Sequence, residues 1–388
     1  MAEPFDWGLL EPAGSVGVPA GDDRVLAALV RVEEALAGAW DELDGRAARP
    51  GYAALAFDPD AIDRERLTAG ARDAGVPVIA LVAQLRAQAG AEAERVHRGA
   101  TSQDIVDSAL MLVSRDALSR ARDALAAAAA ELAARAAASR STPLLVRTLS
   151  QPAEPSTLGA FVGSWLDAVV SALETLDRLD FPVQLGGAVG TGAAFGRLAA
   201  RSDAPRDLRA ALAARLGLTD PGRAWHTERT PVLAVADGAA LVAAVAGRIG
   251  RDLALAARDG VLLPATGGGS SAMPHKKNPV DAVLLTANGL RAPGLLATIH
   301  TAALSSDARP AGEWHAEWQA WRGLLRIAVE SAEVLAHAVG DLVVADNAGT
   351  GVDADADDLA AAGDVADAAV ARYRARTAQD RDDREVIP

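Results

Sequence analysis

Along most of the chain, apolar residues recur every three or four positions, the spacing of one helix face. The segment RVLAALVRVEEALAGAW shows it first, and Asp22-Asp23 before it read as an acidic N-cap. Shorter helical pieces are expected near 60–75 and 77–89. From Asp104 the chain runs DIVDSALMLVSRDALSRARDALAAAAAELAARAAAS to Ser139 without glycine or proline. At the usual rise per residue that helix spans about 50 Å, the length of a bundle's spine. Similar runs lie near 156–179, 205–217, 231–259, 278–304 and 313–340. No alternating pattern is long enough to build a sheet. The spacing therefore predicts a mainly α chain in three parts: an N-terminal helical region over 1–100, a long-helix bundle over 101–345, and a short end over 346–388. In that end one helix is expected near 357–374, followed by a charged, mobile tail.

Composition fits tightly packed helices. The chain has 388 residues, half of them hydrophobic but only 4% aromatic, so the core is built from Ala, Leu and Val. The net charge of −14 argues against a nucleic-acid partner, which needs a basic surface. It leaves room for a small anionic substrate in a locally cationic pocket. There is no cysteine, hence no disulfide, thiolate ligand or thiol nucleophile. The sequence MAEPFDWGLLEPAG lacks the charge and apolar run of a signal peptide. No membrane span is expected, because the most apolar stretch, 232–250, is interrupted by Asp237 and reads as a buried helix. A cytoplasmic location is the resulting expectation.

Three loops carry candidate chemistry. GGGSSAMPHKKNP (267–279) places three permissive glycines before two hydroxyls, two lysines and an amide at a helix start. Such a segment can close over a ligand and bring a hydroxyl and a cation to a carboxylate. HRGATSQD (97–104) puts Thr101, Ser102 and Gln103 directly before the long helix, where free N–H groups and hydroxyls can hold an anion. LGGAVGTGAAFG (185–196) is glycine-rich but fits neither a dinucleotide fingerprint nor a P-loop. Six histidines are scattered without metal-ligand spacing, and DADADD (353–358) lacks the glycine and final glutamate of a calcium loop. Neither a metal nor an organic cofactor is expected.

The stretch from Gly269 to Pro279 resembles, without a gap, the G-S-S-x-M-P-x-K-x-N-P motif of the fumarase/aspartase superfamily. That resemblance implies a long-helix bundle fold, here with a reduced C-terminal domain. It places the serine base at Ser270 and a carboxylate-binding lysine at Lys276, with Ser271, Met273 and Asn278 around the substrate. The form G-A-T-S-Q-D at 99–104 is similar to the 3-carboxy-cis,cis-muconate cycloisomerase branch, which implies substrate binding by Thr101, Ser102 and Gln103. His97 matches a histidine of that motif and joins Ser270 as a catalytic candidate. RTLSQPAEPSTLGA (147–160) supplies Gln151, but Pro152 and Leu149 stand where relatives carry histidines. WHTER (225–229) adds His226 and Arg229, and GEWHAEW (312–318) also matches, with Ser306-Asp307 where relatives carry Glu-His. His275 helps shape the loop, and His300 and His337 read as structural.

The resemblance further implies a homotetramer in which three chains build each active site around a small polycarboxylate. The favoured activity is closure of 3-carboxymuconate to its muconolactone, in protocatechuate degradation. Two other readings stand beside it. One is a β-elimination that releases fumarate from a succinyl compound. The other is a catalytically silent homologue, which the changes at Pro152 and Ser306-Asp307 would suit.

Overall fold

The structure, a computed structural model, describes residues 20–269, 273, 277–346 and 351–385, with side chains through residue 379. Eleven helices order the described residues: α1 (Asp22–Leu43), α2 (Arg64–Ala74), α3 (Val78–Ala89), α4 (Ser102–Ala138), α5 (Leu158–Asp177), α6 (Ala193–Ala199), α7 (Ala204–Leu216), α8 (Thr230–Arg258), α9 (Val280–Ala302), α10 (Glu313–Gly340) and α11 (Ala356–Glu385). The helical spacing of the sequence is thus realised almost run for run. Two boundaries move. Gly21 caps α1, and Asp22 and Asp23 form its first turn, where their charge suits the helix dipole. Helix α4 begins at Ser102, so Ser102 and Gln103 lie inside its first turn rather than before it.

Five long helices form the bundle. Helices α4, α8 and α10 share one direction: Arg229, just before α8, and Trp314, at the start of α10, both bond Asp107 near the start of α4. At the other end Arg135 of α4 reaches the carbonyls of Gly340, the last residue of α10, and of Leu342 just beyond it. Helices α5 and α9 return antiparallel between them. Alanine and glycine let these helices close in: Gly247 of α8 and Gly289 of α9 face each other, and a Cβ on Gly247 would stand 2.8 Å from the Gly289 Cα. One contiguous core runs from Leu26 on α1 to Val370 on α11.

Two features depart from the expected pattern. Short antiparallel pairs form where no strand was expected: β1 (Pro143–Thr148) with β2 (Gln151–Thr157), and β3 (Leu262–Pro264) with β4 (Leu342–Val344). Pro152 and Pro155 hide β2 from pattern reading, since proline is tolerated only in an edge strand. Helix α11 also runs on to Glu385, through the segment expected to be a mobile tail. Arg372 pairs with Asp167 and Glu174, and Arg376 with Asp177, which pins this charged helix along α5.

Candidate active site

The three motif regions sit at two ends of the bundle. Thr101–Gln103, His97, His226 and Arg229 gather where α4, α8 and α10 begin. Gln151 and Asn278 lie where those helices end. Helix α8 alone has 29 residues, so the two stations are about 43 Å apart on one chain. The chain therefore brings the first group together and, separately, the third motif's stem, but does not join them.

At the first station Thr101 caps α4, and the Asp104 carboxylate accepts from its N–H at 3.0 Å. Asp104 is wholly buried and also accepts from the Gly186 N–H at 2.8 Å, the Gly187 N–H at 2.9 Å and Gln184 Nε2 at 3.2 Å. This single carboxylate fastens the glycine-rich 185–196 crossing to the start of α4. Burial pushes its pKa up to about 6, while the four donors pull the other way. Gln103 is equally buried. Its Nε2 donates to the His226 carbonyl at 2.6 Å and to Asp107 at 3.2 Å, and its Oε1 has no partner.

His226 is buried, and neither ring nitrogen makes a hydrogen bond of good geometry. Burial, and then the charge of Arg309, lower its pKa and keep the imidazole neutral near pH 7. His97 takes a left-handed backbone with φ 60°. Its Nδ1 lies 2.7 Å from Oε1 of Glu33, a buried carboxylate on α1, which leaves Nε2 as the nitrogen able to meet a substrate. Trp40 holds this segment by donating to the Arg98 carbonyl at 2.9 Å, and the Arg98 guanidinium stacks 3.9 Å over the same ring.

Arg229 does not line the site as expected. A guanidinium has five N–H donors. Here they go to Glu317 Oε1 at 3.0 Å and Oε2 at 2.6 Å, to Asp107 Oδ2 at 2.7 Å and Oδ1 at 3.3 Å, and to the His226 carbonyl at 3.2 Å. None is left for a ligand. Burial works against its charge, and the two carboxylates overcome that and hold it protonated. Arg229 is the buried strut under His226, not a substrate-binding residue.

At the second station the described stem of the loop is closed by two bonds. The Gly268 N–H donates to the Asn278 carbonyl at 2.8 Å, and the Asn278 N–H returns to the Gly268 carbonyl at 2.9 Å. Asn278 Nδ2 adds a bond to the Gly269 carbonyl at 3.1 Å. The glycines serve close approach as well as freedom: a Cβ on Gly268 would stand 2.2 Å from Val280 Cγ2, and Gly267 has φ 61°. Pro279 precedes α9 instead of opening its first turn. Lys277 Nζ donates to the Ala265 carbonyl at 2.6 Å, and the Asp341 carboxylate accepts from the Thr266 N–H and hydroxyl. A cavity of about 200 Å³ lies beneath, lined by Thr266, Asn278, Asp281, His337 and apolar neighbours. Met273 is exposed. Ser270, Ser271, His275 and Lys276 lie outside the described residues.

Gln151 opens β2 beside a turn in which Leu149 and Ser150 both have positive φ, 49° and 65°. Leu149 is 98% exposed at its tip, and the hairpin carries no imidazole. His300 and His337, read as structural, pair with Asp237 and Asp281.

Four functional neighbours were not legible beforehand: Glu33, Asp107, Glu317 and Arg309. The acids look like ordinary helix-surface residues in sequence, and Arg309 sits in a loop whose two changed residues drew the attention.

A lyase family model matches residues 47–294. Nitrosuccinate lyase from Streptomyces davaonensis is 38% identical, over 89% of this chain and 76% of that enzyme. A 3-carboxy-cis,cis-muconate cycloisomerase from Pseudomonas aeruginosa is 39% identical, over 68% of this chain and 58% of that enzyme, so the match spans little more than half of the relative. Among solved structures, the 3-carboxy-cis,cis-muconate lactonizing enzyme from Pseudomonas putida superposes with a TM-score of 0.75 at 33% identity, covering 84% of this chain and 74% of that one. With its matching motifs and long-helix bundle, the chain belongs to the lyase family of the fumarase/aspartase superfamily.

Proposed function

We propose that the protein is a cytoplasmic homotetramer that lactonises 3-carboxy-cis,cis-muconate in protocatechuate degradation. The observation that supports this reading is the start of α4, where the segment similar to the cycloisomerase branch sets Thr101 at a helix N-terminus near the neutral imidazole of His226 and the ring of His97. In lactonisation a carboxylate oxygen of the substrate forms a C–O bond to one alkene carbon. The π pair moves to the neighbouring carbon and delocalises into the carboxylate there. Thr101, Ser102, Lys276 and Asn278 stabilise that charge, while Gln103, whose two N–H donors go to the His226 carbonyl and Asp107, supports the wall behind them, and Ser270 delivers the proton that completes the C–H bond. Nothing is expelled, so no acid is needed for a leaving group.

Assembly supports the same reading. Val283, Ala287, Leu290, Gly294, Ala297 and Thr301 on α9, and Leu304 just past its end, are exposed at alternating spacings of four and three. That is a coiled-coil seam awaiting a partner helix. Helices α8 and α9 are both long and apolar enough to cross a membrane by length and composition, but most of α8 is buried in the bundle and the exposed face of α9 has this seam. Helices paired across copies would bring the distant stations of different chains together.

A second reading is elimination from nitrosuccinate. The 38% identical relative favours it, and so does the bare hairpin, because nitrite leaves as a stable anion without protonation. Purified protein given 3-carboxy-cis,cis-muconate should bleach the conjugated diene and release no nitrite from nitrosuccinate. Nitrite release with an unchanged diene transfers the assignment to the second reading. In either case Ser270→Ala should cut turnover at least a hundredfold and leave the fold intact.

A further inference from the structure

The loop over residues 303–312 doubles back onto the start of α4. Asp307 takes a left-handed φ of 54° in it, a conformation that costs a non-glycine residue energy. Both feet of the bend are tied. Ser306 Oγ donates to Glu313 Oε1 at 3.1 Å, and Trp314 Nε1 donates to Asp107 Oδ1 at 2.9 Å. The bend delivers Arg309, whose Nη2 donates to Thr101 Oγ1, the side chain that caps α4.

This placement runs against helix electrostatics. The first turn of a helix already has a positive end, so a second cation there is repelled. No carboxylate among the described residues pairs with Arg309. Beside it the ring of His226, 6% exposed as a residue, makes no hydrogen bond of good geometry, and its neutral form keeps one N–H donor for a ligand. A free guanidinium, a helix start and a neutral imidazole around one spot form a receptor for a planar oxyanion.

The geometry points to Arg309 as the residue that binds the substrate carboxylate at the α4 end of the site. This deepens the polycarboxylate reading and rests on it. A carboxylate takes two guanidinium N–H donors side by side, and Thr101 Oγ1 holds the fork in place before it arrives. Arg309 thereby selects substrates with a carboxylate at that position, and Arg229, beneath it, holds the floor.

Calorimetric titration of the intact protein with tricarballylate, an unreactive tricarboxylate, tests this. Arg309→Met should weaken binding about ten- to a hundredfold, the worth of a charged hydrogen bond. Arg309→Lys should recover part of the loss. Arg206→Gln, at an exposed arginine on α7, should stay within twofold of wild type. Thermal unfolding of Arg309→Met should match wild type, and with a turned-over substrate KM should rise by the same factor while kcat changes little. Binding by Arg309→Met within twofold of wild type overturns the assignment, including the case in which wild type itself binds weakly. Tricarballylate binding that depends on Arg309, with carboxymuconate left unreacted, supports the subsite and rejects only the lactonising activity.

Discussion

Replacing Arg229 with methionine separates the two arginines of the site by what they do. Arg229 is 4% exposed and bridges Asp107 and Glu317, which are each 1% exposed. Methionine fills similar space but leaves two buried like charges facing each other. Burial and the Asp107 charge already raise the Glu317 pKa while Arg229 opposes them. Breaking such a buried network by removing one partner costs about 3–5 kcal/mol. For a chain of 388 residues, about 4 kcal/mol corresponds to a Tm lower by about 5 °C. The loss has a pH signature. In the variant Glu317 loses the opposing charge of Arg229, so its folded-state pKa stands further above its unfolded one and protonation favours the folded form. Stability from this group is present below its unfolded pKa and lost as pH rises through the raised value. The deficit against wild type should therefore shrink between pH 7 and pH 5. Urea unfolding of both proteins across that range measures it. A deficit under 1 kcal/mol at pH 7, or one that does not change with pH, would refute the strut and return Arg229 to the substrate.

Asp104 makes a related prediction with the opposite emphasis. Its pKa of about 6 lies about two units above that of an unfolded aspartate, worth about 3 kcal/mol that favours the folded state below pH 4 and disappears as pH rises past 6. The stability of wild type relative to Asp104→Asn should fall by about that amount between pH 4 and pH 7, and a flat difference in urea unfolding contradicts it. On α9, Leu290→Arg places a charge in the middle of the exposed seam, where Leu290 is 76% exposed on one chain. Losing a buried leucine at each contact costs about 1.5–3 kcal/mol, so sedimentation velocity should show smaller species and turnover should fall with them. A tetramer that persists would place the interface elsewhere.

Local chemistry explains what was readable in advance. Helix spacing located the long runs, because one face of each must be apolar to pack. The loop from Gly269 to Pro279 was recognisable because its spacing is dense and contiguous, and the cap at Thr101 because capping depends on residues three apart. The β1–β2 hairpin escaped notice because its proline-rich second strand has no apolar alternation. The helical end at 375–385 was missed because what fastens its start, the pair of Arg376 with Asp177 on α5, lies outside any local window.

Sequence alone thus determined the helical class, the family and the loops that hold the chemistry, all properties of residues near one another along the chain. Tertiary structure alone decided which arginine serves which purpose. Arg229 and Arg309 are equivalent as letters. One lies between two carboxylates 122 and 88 residues away in sequence, which together with the His226 carbonyl take up its donors. The other is brought across 208 residues to an electropositive helix start, with no carboxylate paired to it among the described residues. Charge pairing depends on distance in space, and only the folded chain sets that distance.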